Sequence, residues 1–408
     1  MDISVEHECP QCGGAVTLSE ADHILGCPFC GVRSFINASG YRRFMLPVKE
    51  PGREYIFVPY LRFKGNVFFC DERRVGSRLV DITQLAVSGV KGLPFSLGLR
   101  PQAMKMRFFA GNSAGSFARI TVDAKGLLQR AGRIPSSMKR GRVYHRVYIG
   151  ETLSIIYLPL YVSDSRLYDG ILERPLSDSG FEEESLHAVP LEKIQWKFNF
   201  LPTICPRCGW DLEGDSQSVV FACSNCLSFW ELKKGRFERV DGYFASVDGG
   251  ADLYLPFWRI EAFSEKGGLS SFGDFLRITN QPRVVKDSER QLDMAFWSPA
   301  FRISPSTFLR LSRQLTLTQG NYEKDERADN RDLYPVTLPQ SEARQGLKLT
   351  LASSAQSKKK LFPLLPQFEF SSGRALLVYL PFKASGHDLI EPLHNLVINS
   401  RSIERERC

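Results

Sequence analysis

The chain has 408 residues, 43% of them hydrophobic and 24% charged, an ordinary globular composition with enough apolar material for a core and length for roughly two to three domains. Its formal net charge of +8 permits an acidic partner (nucleic acid, an anionic lipid surface or an acidic protein) and demands none of them. No apolar run approaches the ~18 residues that span a bilayer, and the acidic start Met1 to Glu8 lacks the basic and apolar regions of a secretory signal. The expected location is therefore the cytoplasm, which leaves peripheral membrane association open.

In chain order, the first signal is a cysteine quartet, Cys9, Cys12, Cys27 and Cys30, spaced C-x2-C-x14-C-x2-C, with Ala15–Leu18 and Asp22–Gly26 expected as two arms of a hairpin between the knuckles. Short segments rich in β-branched and aromatic residues follow at 54–62, 66–70, 105–109, 117–123, 143–149, 153–162 and 166–172, with Asp164-Ser165 as a hairpin turn and a weak helical pattern at 79–87. An acidic run, Phe181 to Ser185, and the alternating segment 196–202 mark a boundary near 185–202. The second quartet, Cys205, Cys208, Cys223 and Cys226, repeats the first spacing at an offset of 196 residues. Strands are expected again at 219–223, 227–232, 252–262, 374–383 and 393–399. A helix is expected at 305–316, capped by Ser304 with Pro305 at its first position, and a weaker one at 271–279. Residues 317–348 read as a long polar loop or insertion.

Two further landmarks recur in order. Phe57-Val58-Pro59-Tyr60-Leu61-Arg62 resembles Tyr254-Leu255-Pro256-Phe257-Trp258-Arg259, and Ile156-Tyr157-Leu158-Pro159-Leu160 resembles Val378-Tyr379-Leu380-Pro381-Phe382. Together with the quartets they point to an internal duplication. The prolines inside these strands cannot donate to a ladder, so they are expected at edges or bulges.

Four Cys-x-x-Cys pairs in a cytosolic chain read as metal sites before disulfides. Two residues between cysteines let one tight turn offer both sulfurs to one ion, and two such knuckles complete a tetrahedron. Cys9-Pro10-Gln11-Cys12-Gly13, Cys27-Pro28-Phe29-Cys30-Gly31 and Cys205-Pro206-Arg207-Cys208-Gly209 share one form, in which proline presets the turn and glycine tolerates positive φ. The fourth, Cys223-Ser224-Asn225-Cys226-Leu227, has leucine in place of the glycine. Residues 7–36 and 203–232 resemble zinc ribbon domains, and the tandem arrangement resembles bacterial double-zinc-ribbon proteins. The resemblance implies two structural zinc ions per chain and carries no activity with it. The resulting expectation is a mainly β fold: ribbon 1 over 1–40, a β-rich domain over 41–190, ribbon 2 over 200–235, and a second β-rich domain over 236–408 with its polar insertion at 316–348.

Nothing catalytic stands out. A quartet of sulfurs leaves no open position for substrate. His7, His23, His145, His187, His387 and His394 are scattered, no Walker, Rossmann or nucleophile-elbow pattern occurs, and Cys70 reads as an inert strand end, with Cys408 terminal. Arg130, Arg133, Lys139, Arg140, Arg142 and Arg146 cluster near Tyr144 and Tyr148, while Arg42-Arg43, Arg73-Arg74 and Lys358-Lys359-Lys360 form smaller basic patches. The expected function is a non-catalytic scaffold or adaptor with protein partners. A nucleic-acid-binding accessory protein using 130–146 is the alternative, and an enzyme with an interdomain site a more distant one.

Overall fold

β-Branched and aromatic residues fill the strands, and the fold is mainly β with helices in the minority. A computed structural model describes residues 3–90, 92–109, 115–164, 166–176, 191–194, 196–325 and 331–407. The acidic run at 181–185, Ser165, His187, residues 326–330 and Cys408 lie outside the described residues. The chain forms two compact units: Met1–Gly65 with Leu79–Arg133 and Glu151–Thr203, and Asn66–Arg78 with Ile134–Gly150 and Ile204–Cys408.

The largest sheet among the described residues runs, along its main path, in the order Leu191–Glu192, Ser116–Ala118, Ile56–Asp71, Val143–Ser163, Arg42–Met45, Met106–Phe108, Ser4–Glu8, Ala15–Ser19. Strand Ile56–Asp71 is buried along almost its whole length, the pattern of a strand covered on both faces. Its aromatic residues build the core: Phe57 stacks on Phe117 at 4.9 Å, and Phe117 meets Tyr157 edge-on at 5.5 Å. A separate three-stranded sheet joins Ile24–Gly26, Arg33–Ala38 and Phe198–Pro202.

The sheet of the second unit runs Ala295–Pro299, Leu253–Phe263, Ser371–Ser385, Gly242–Ala245, Lys324–Asp325. Helix Pro305–Thr318 contributes Phe308, Leu311 and Leu315 to a core that holds Trp258 and Trp297, both almost fully buried. The short helix Phe272–Ile278 carries a full capping box, in which Ser271 accepts from the Asp274 backbone and the Asp274 side chain accepts from the Ser271 N–H.

Several expectations are corrected. The weak helix at 79–87 is strand Val75–Leu85, whose apolar residues serve a pleated sheet. The segments 54–62 and 66–70 form one strand, as do 143–149 and 153–162. The ribbon segments Ala15–Leu18 and Ile24–Gly26 pair with Ser4–Glu8 and Arg33–Ala38, respectively, and not with each other. Ser304 does not cap its helix, because its hydroxyl donates to Thr307 Oγ1 at 2.9 Å. Nor is 317–348 a loose insertion. It buries Tyr322, Tyr334, Val336 and Leu338 in the core and forms helix Gln340–Gln345. Its few apolar residues were masked by the surrounding polar ones. Pro256 occupies a strand paired on both sides. Its nitrogen falls at the end of one ladder, where Ala300 donates to the Pro256 carbonyl at 3.0 Å and proline has no N–H to return.

The two units share local topology. Arg42–Met45 pairs in parallel with Ser154–Tyr157, and Gly242–Phe244 pairs in parallel with Leu377–Tyr379. Buried Asp169 accepts the N–H groups of Ile171 and Leu172, and buried Glu391, 222 positions later, accepts those of Leu393 and His394. The left-handed residues Asp164 and Glu173 recur at the same offset as Gly386 and Asn395.

Candidate metal centres

Each quartet is built by turns that the sequence encodes locally. In the first knuckle Gly13 N–H donates to the Cys9 carbonyl at 2.9 Å and Cys9 N–H to the Gly14 carbonyl at 2.8 Å. The Cys27 and Cys205 knuckles close in the same way through Gly31 with Val32 and Gly209 with Trp210. Gly13, Gly31 and Gly209 have φ of 74°, 71° and 76°, and Leu227 takes the equivalent place at φ 50°. The fourth knuckle thus keeps the turn by holding a leucine in a backbone region that costs it roughly 1–2 kcal/mol.

The sulfurs converge. Sγ separations are 3.8 Å for Cys9–Cys30, 3.6 Å for Cys12–Cys27, 3.7 Å for Cys205–Cys226 and 3.4 Å for Cys208–Cys223, and no two are joined as a disulfide. Metal–sulfur bonds of ~2.3 Å in a tetrahedron put ligands about 3.8 Å apart, so both quartets have nearly the dimensions such an ion requires. Among the described residues these are the groups of His, Cys, Asp and Glu able to hold a metal ion.

The electrostatics fit a cation. Backbone N–H groups of Cys30 and Phe29 draw the Cys27 thiol down to about 6. Burial opposes charge at Cys205, yet the N–H groups of Arg207 and Cys208 also bring it to about 6. Other sulfurs of the quartets go the opposite way. At Cys12 the N–H of Gly14 favours the thiolate, but the neighbouring sulfurs outweigh it and push the thiol up to about 12. At Cys223 burial together with the neighbouring sulfurs does the same. Four thiolates at this spacing need a positive ion between them.

The second quartet has a polar support absent from the first. Trp230 Nε1 donates to Ser228 Oγ at 2.7 Å, and that oxygen lies 3.0 Å from Cys226 Sγ and 3.7 Å from Cys205 Sγ. The hydroxyl accepts from the indole and keeps its own proton, which it can donate to a metal-bound thiolate, a group with no proton to give. The corresponding residue of the first quartet is Val32, 196 positions earlier.

Other candidate residues are dispersed. Arg130 and Arg133 belong to the first unit and Lys139, Arg140, Arg142 and Arg146 to the second. Arg130 lies over the Phe95 ring at 4.1 Å. Arg43 Nη1 donates to Tyr157 OH at 2.6 Å, and Arg42 Nη1 to the Glu20 carbonyl at 2.5 Å, so that patch is structural. Lys358, Lys359 and Lys360 are exposed on a short helix. Cys70 is fully buried, and burial pushes its thiol up to about 12. His7 packs among Phe108, Phe198 and Phe200.

Sequence reasoning missed a buried ionic cluster at Arg62. Its Nε and Nη2 donate to Asp81 Oδ1 and Oδ2 at 3.0 and 2.8 Å, and its Nη1 contacts Glu20. Nothing in the strand pattern around Arg62 distinguishes it from Arg259, which is 24% exposed where Arg62 is 1%. No helix among the described residues is long and apolar enough to cross a membrane. No family model, curated protein or solved structure matches the chain.

Proposed function

We propose that the chain is a non-catalytic adaptor whose two zinc-stapled ribbons present apolar docking residues to protein partners within a larger assembly. One observation carries this reading: each quartet pairs its knuckles with an exposed large apolar side chain. Phe29, between Cys27 and Cys30, is 70% exposed, and Trp210, two residues after Cys208, is 57% exposed with Ile204 at 46%. Apolar side chains of this size in solvent mark contact surfaces, and aromatic anchors dominate the energy of protein interfaces. Their placement on knuckles fixed by a metal lowers the ordering cost of binding. Phe29 is further held from behind, where a Cβ on Gly14 would come within 2.5 Å of its ring.

Zinc is the ion assigned, because it takes four thiolates in a closed tetrahedron and has no redox chemistry of its own. Filled sites of this kind contribute folding energy and leave no position for substrate. The recurrence of the knuckles at an offset of 196 residues, and of the hairpin and buried carboxylate at 222, supports an ancestral duplication. Eight cysteines kept for metal suit the reducing cytoplasm.

The test is quantitative mass spectrometry of what co-purifies with the tagged full chain from its native host, compared with the double variant Phe29→Ser/Trp210→Ser. Near-stoichiometric partners that disappear in the variant, with zinc content unchanged, are expected. Identical captures from both proteins would refute the docking role of the ribbons.

A further inference from the structure

The turn after strand Ile56–Asp71 and the segment before strand Val143–Ser163 are far apart in sequence and tied together in the second unit by two carboxylates. Asp71, fully buried, accepts the backbone N–H groups of Arg73 and Arg74 through Oδ1, both at 3.0 Å, and that of Arg140 through Oδ2 at 2.9 Å. Glu72 accepts the Arg142 N–H at 3.1 Å. Arg74 Nη2 donates to the Met138 carbonyl and its Nε lies 3.8 Å from Asp71. Gly141, at φ 82°, is the residue over which Glu72 closes, and a Cβ there would lie 2.2 Å from the carboxylate.

Both carboxylates are engaged with backbone donors. Burial works against the charge on Asp71, but the N–H groups of Arg73, Arg140 and Arg74 outweigh it and hold its pKa below the usual carboxylate range. Arg73, Arg74, Lys139, Arg140, Arg142 and Arg146 are all exposed. Among the described residues, no carboxylate pairs with the side chains of Arg73, Lys139, Arg140, Arg142 or Arg146. The tip therefore keeps a net positive charge, its six cations outnumbering the two carboxylates Asp71 and Glu72, and Arg74 is the one of the six described with a carboxylate within 4 Å of its side chain.

We infer that this tip binds the phosphodiester backbone of nucleic acid. Five of its six cations are arginines, whose planar forks suit phosphate oxygens. No large apolar side chain is exposed within 66–78 or 134–150, so the tip has neither the insertion anchor of a membrane-binding element nor the apolar centre of a protein interface. The surface includes Arg73 and Arg74, excludes Arg130 and Arg133, and involves no metal ligand. It does not rest on the adaptor reading.

The experiment is fluorescence anisotropy of the full chain with a labelled 30-base-pair duplex and the matching single strand, between 50 and 200 mM KCl. Five phosphate contacts predict a slope of log affinity against log salt of about −4.5 for the duplex, or roughly 500-fold weaker binding over that range. Arg73→Gln/Arg140→Gln/Arg142→Gln removes three contacts and should bring the slope to about −1.8. A second variant, Lys139→Gln/Arg146→Gln, should bring it to about −2.7 and gives an independent reading should the triple variant misfold. Lys358→Gln/Lys359→Gln/Lys360→Gln, with the same loss of charge elsewhere, should leave the slope unchanged. No binding at 50 mM salt, or equal weakening by both triple variants, would overturn the proposal. So would tip-dependent binding seen only with 4:1 phosphatidylcholine–phosphatidylserine vesicles or with polyglutamate.

Discussion

Replacing Arg62 by methionine keeps the volume of the side chain and removes its charge, leaving Glu20 and Asp81 without their shared cation. The two carboxylates differ in exposure, Glu20 at 4% and Asp81 at 23%, so water can recover Asp81 while Glu20 stays buried. Asp81 also keeps the Gln102 Nε2 donor at 2.8 Å, whereas among the described residues Glu20 keeps only the Ser154 hydroxyl as a side-chain donor to its carboxylate. Most of the cost therefore falls on Glu20. Breaking a buried pair from one side costs about 3–5 kcal/mol, because a charge is left in low dielectric without compensation. Four of the five tryptophans lie in the second unit, so fluorescence would report on the wrong region. Hydrogen exchange read by mass spectrometry over peptides 56–63 and 79–85 reports on the first unit directly. Opening there should accelerate by roughly 150- to 4,000-fold in Arg62→Met. Adding Glu20→Gln, which removes the orphaned charge and can still accept from Ser154, should recover most of the loss. Acceleration below about fivefold, or a further loss on adding Glu20→Gln, would refute the reasoning.

Ser228→Ala removes the only hydroxyl described against the sulfurs, so a chelator should strip metal from the second quartet about 10- to 100-fold faster while the first quartet is unaffected. His145 is held neutral by burial, reinforced by Lys348, with its pKa lowered to about 4. Its folded value lies below that of the unfolded chain, near 6.5, so the unfolded state takes up the proton first as pH falls. Stability is lost from about pH 6.5 downward, amounting to about 1.4 kcal/mol between pH 7.5 and 5.5, and the urea midpoint of His145→Gln should lack that component. Cys70, buried with its thiol raised to about 12, should resist alkylation by N-ethylmaleimide until the second unit unfolds, as peptide mapping would show.

The metal centres were legible because their information is local. Spacing, proline and glycine set each knuckle, and even Leu227 adopts the left-handed backbone that the turn requires. The aromatic-Pro strands were legible for a similar reason, since composition marks them, and their order survives in the matching parallel pairs of the two units. What escaped depends on long-range partners. Phe198–Pro202 reads as a lead-in to the second quartet but pairs with Arg33–Ala38 beside the first, a register that no periodicity reveals. Tyr334, Val336 and Leu338 lie in a polar stretch whose average hydropathy hides them, although each is nearly fully buried. The cationic tip combines segments some 65 residues apart, brought together by the contacts of Asp71 with Arg140, Glu72 with Arg142 and Arg74 with Met138, which no sequence pattern announces. Strand Val75–Leu85 was misread because its apolar residues meet helical and pleated spacing about equally well over so short a window.

X-ray absorption at the zinc edge, combined with elemental analysis of protein purified without chelator or added metal, tests the central claim. Two zinc ions per chain, each with four sulfurs at ~2.3 Å and no lighter ligand, are expected. Zinc well below two per chain with the eight thiols free to react, or nitrogen or oxygen in the inner coordination shell, would contradict it.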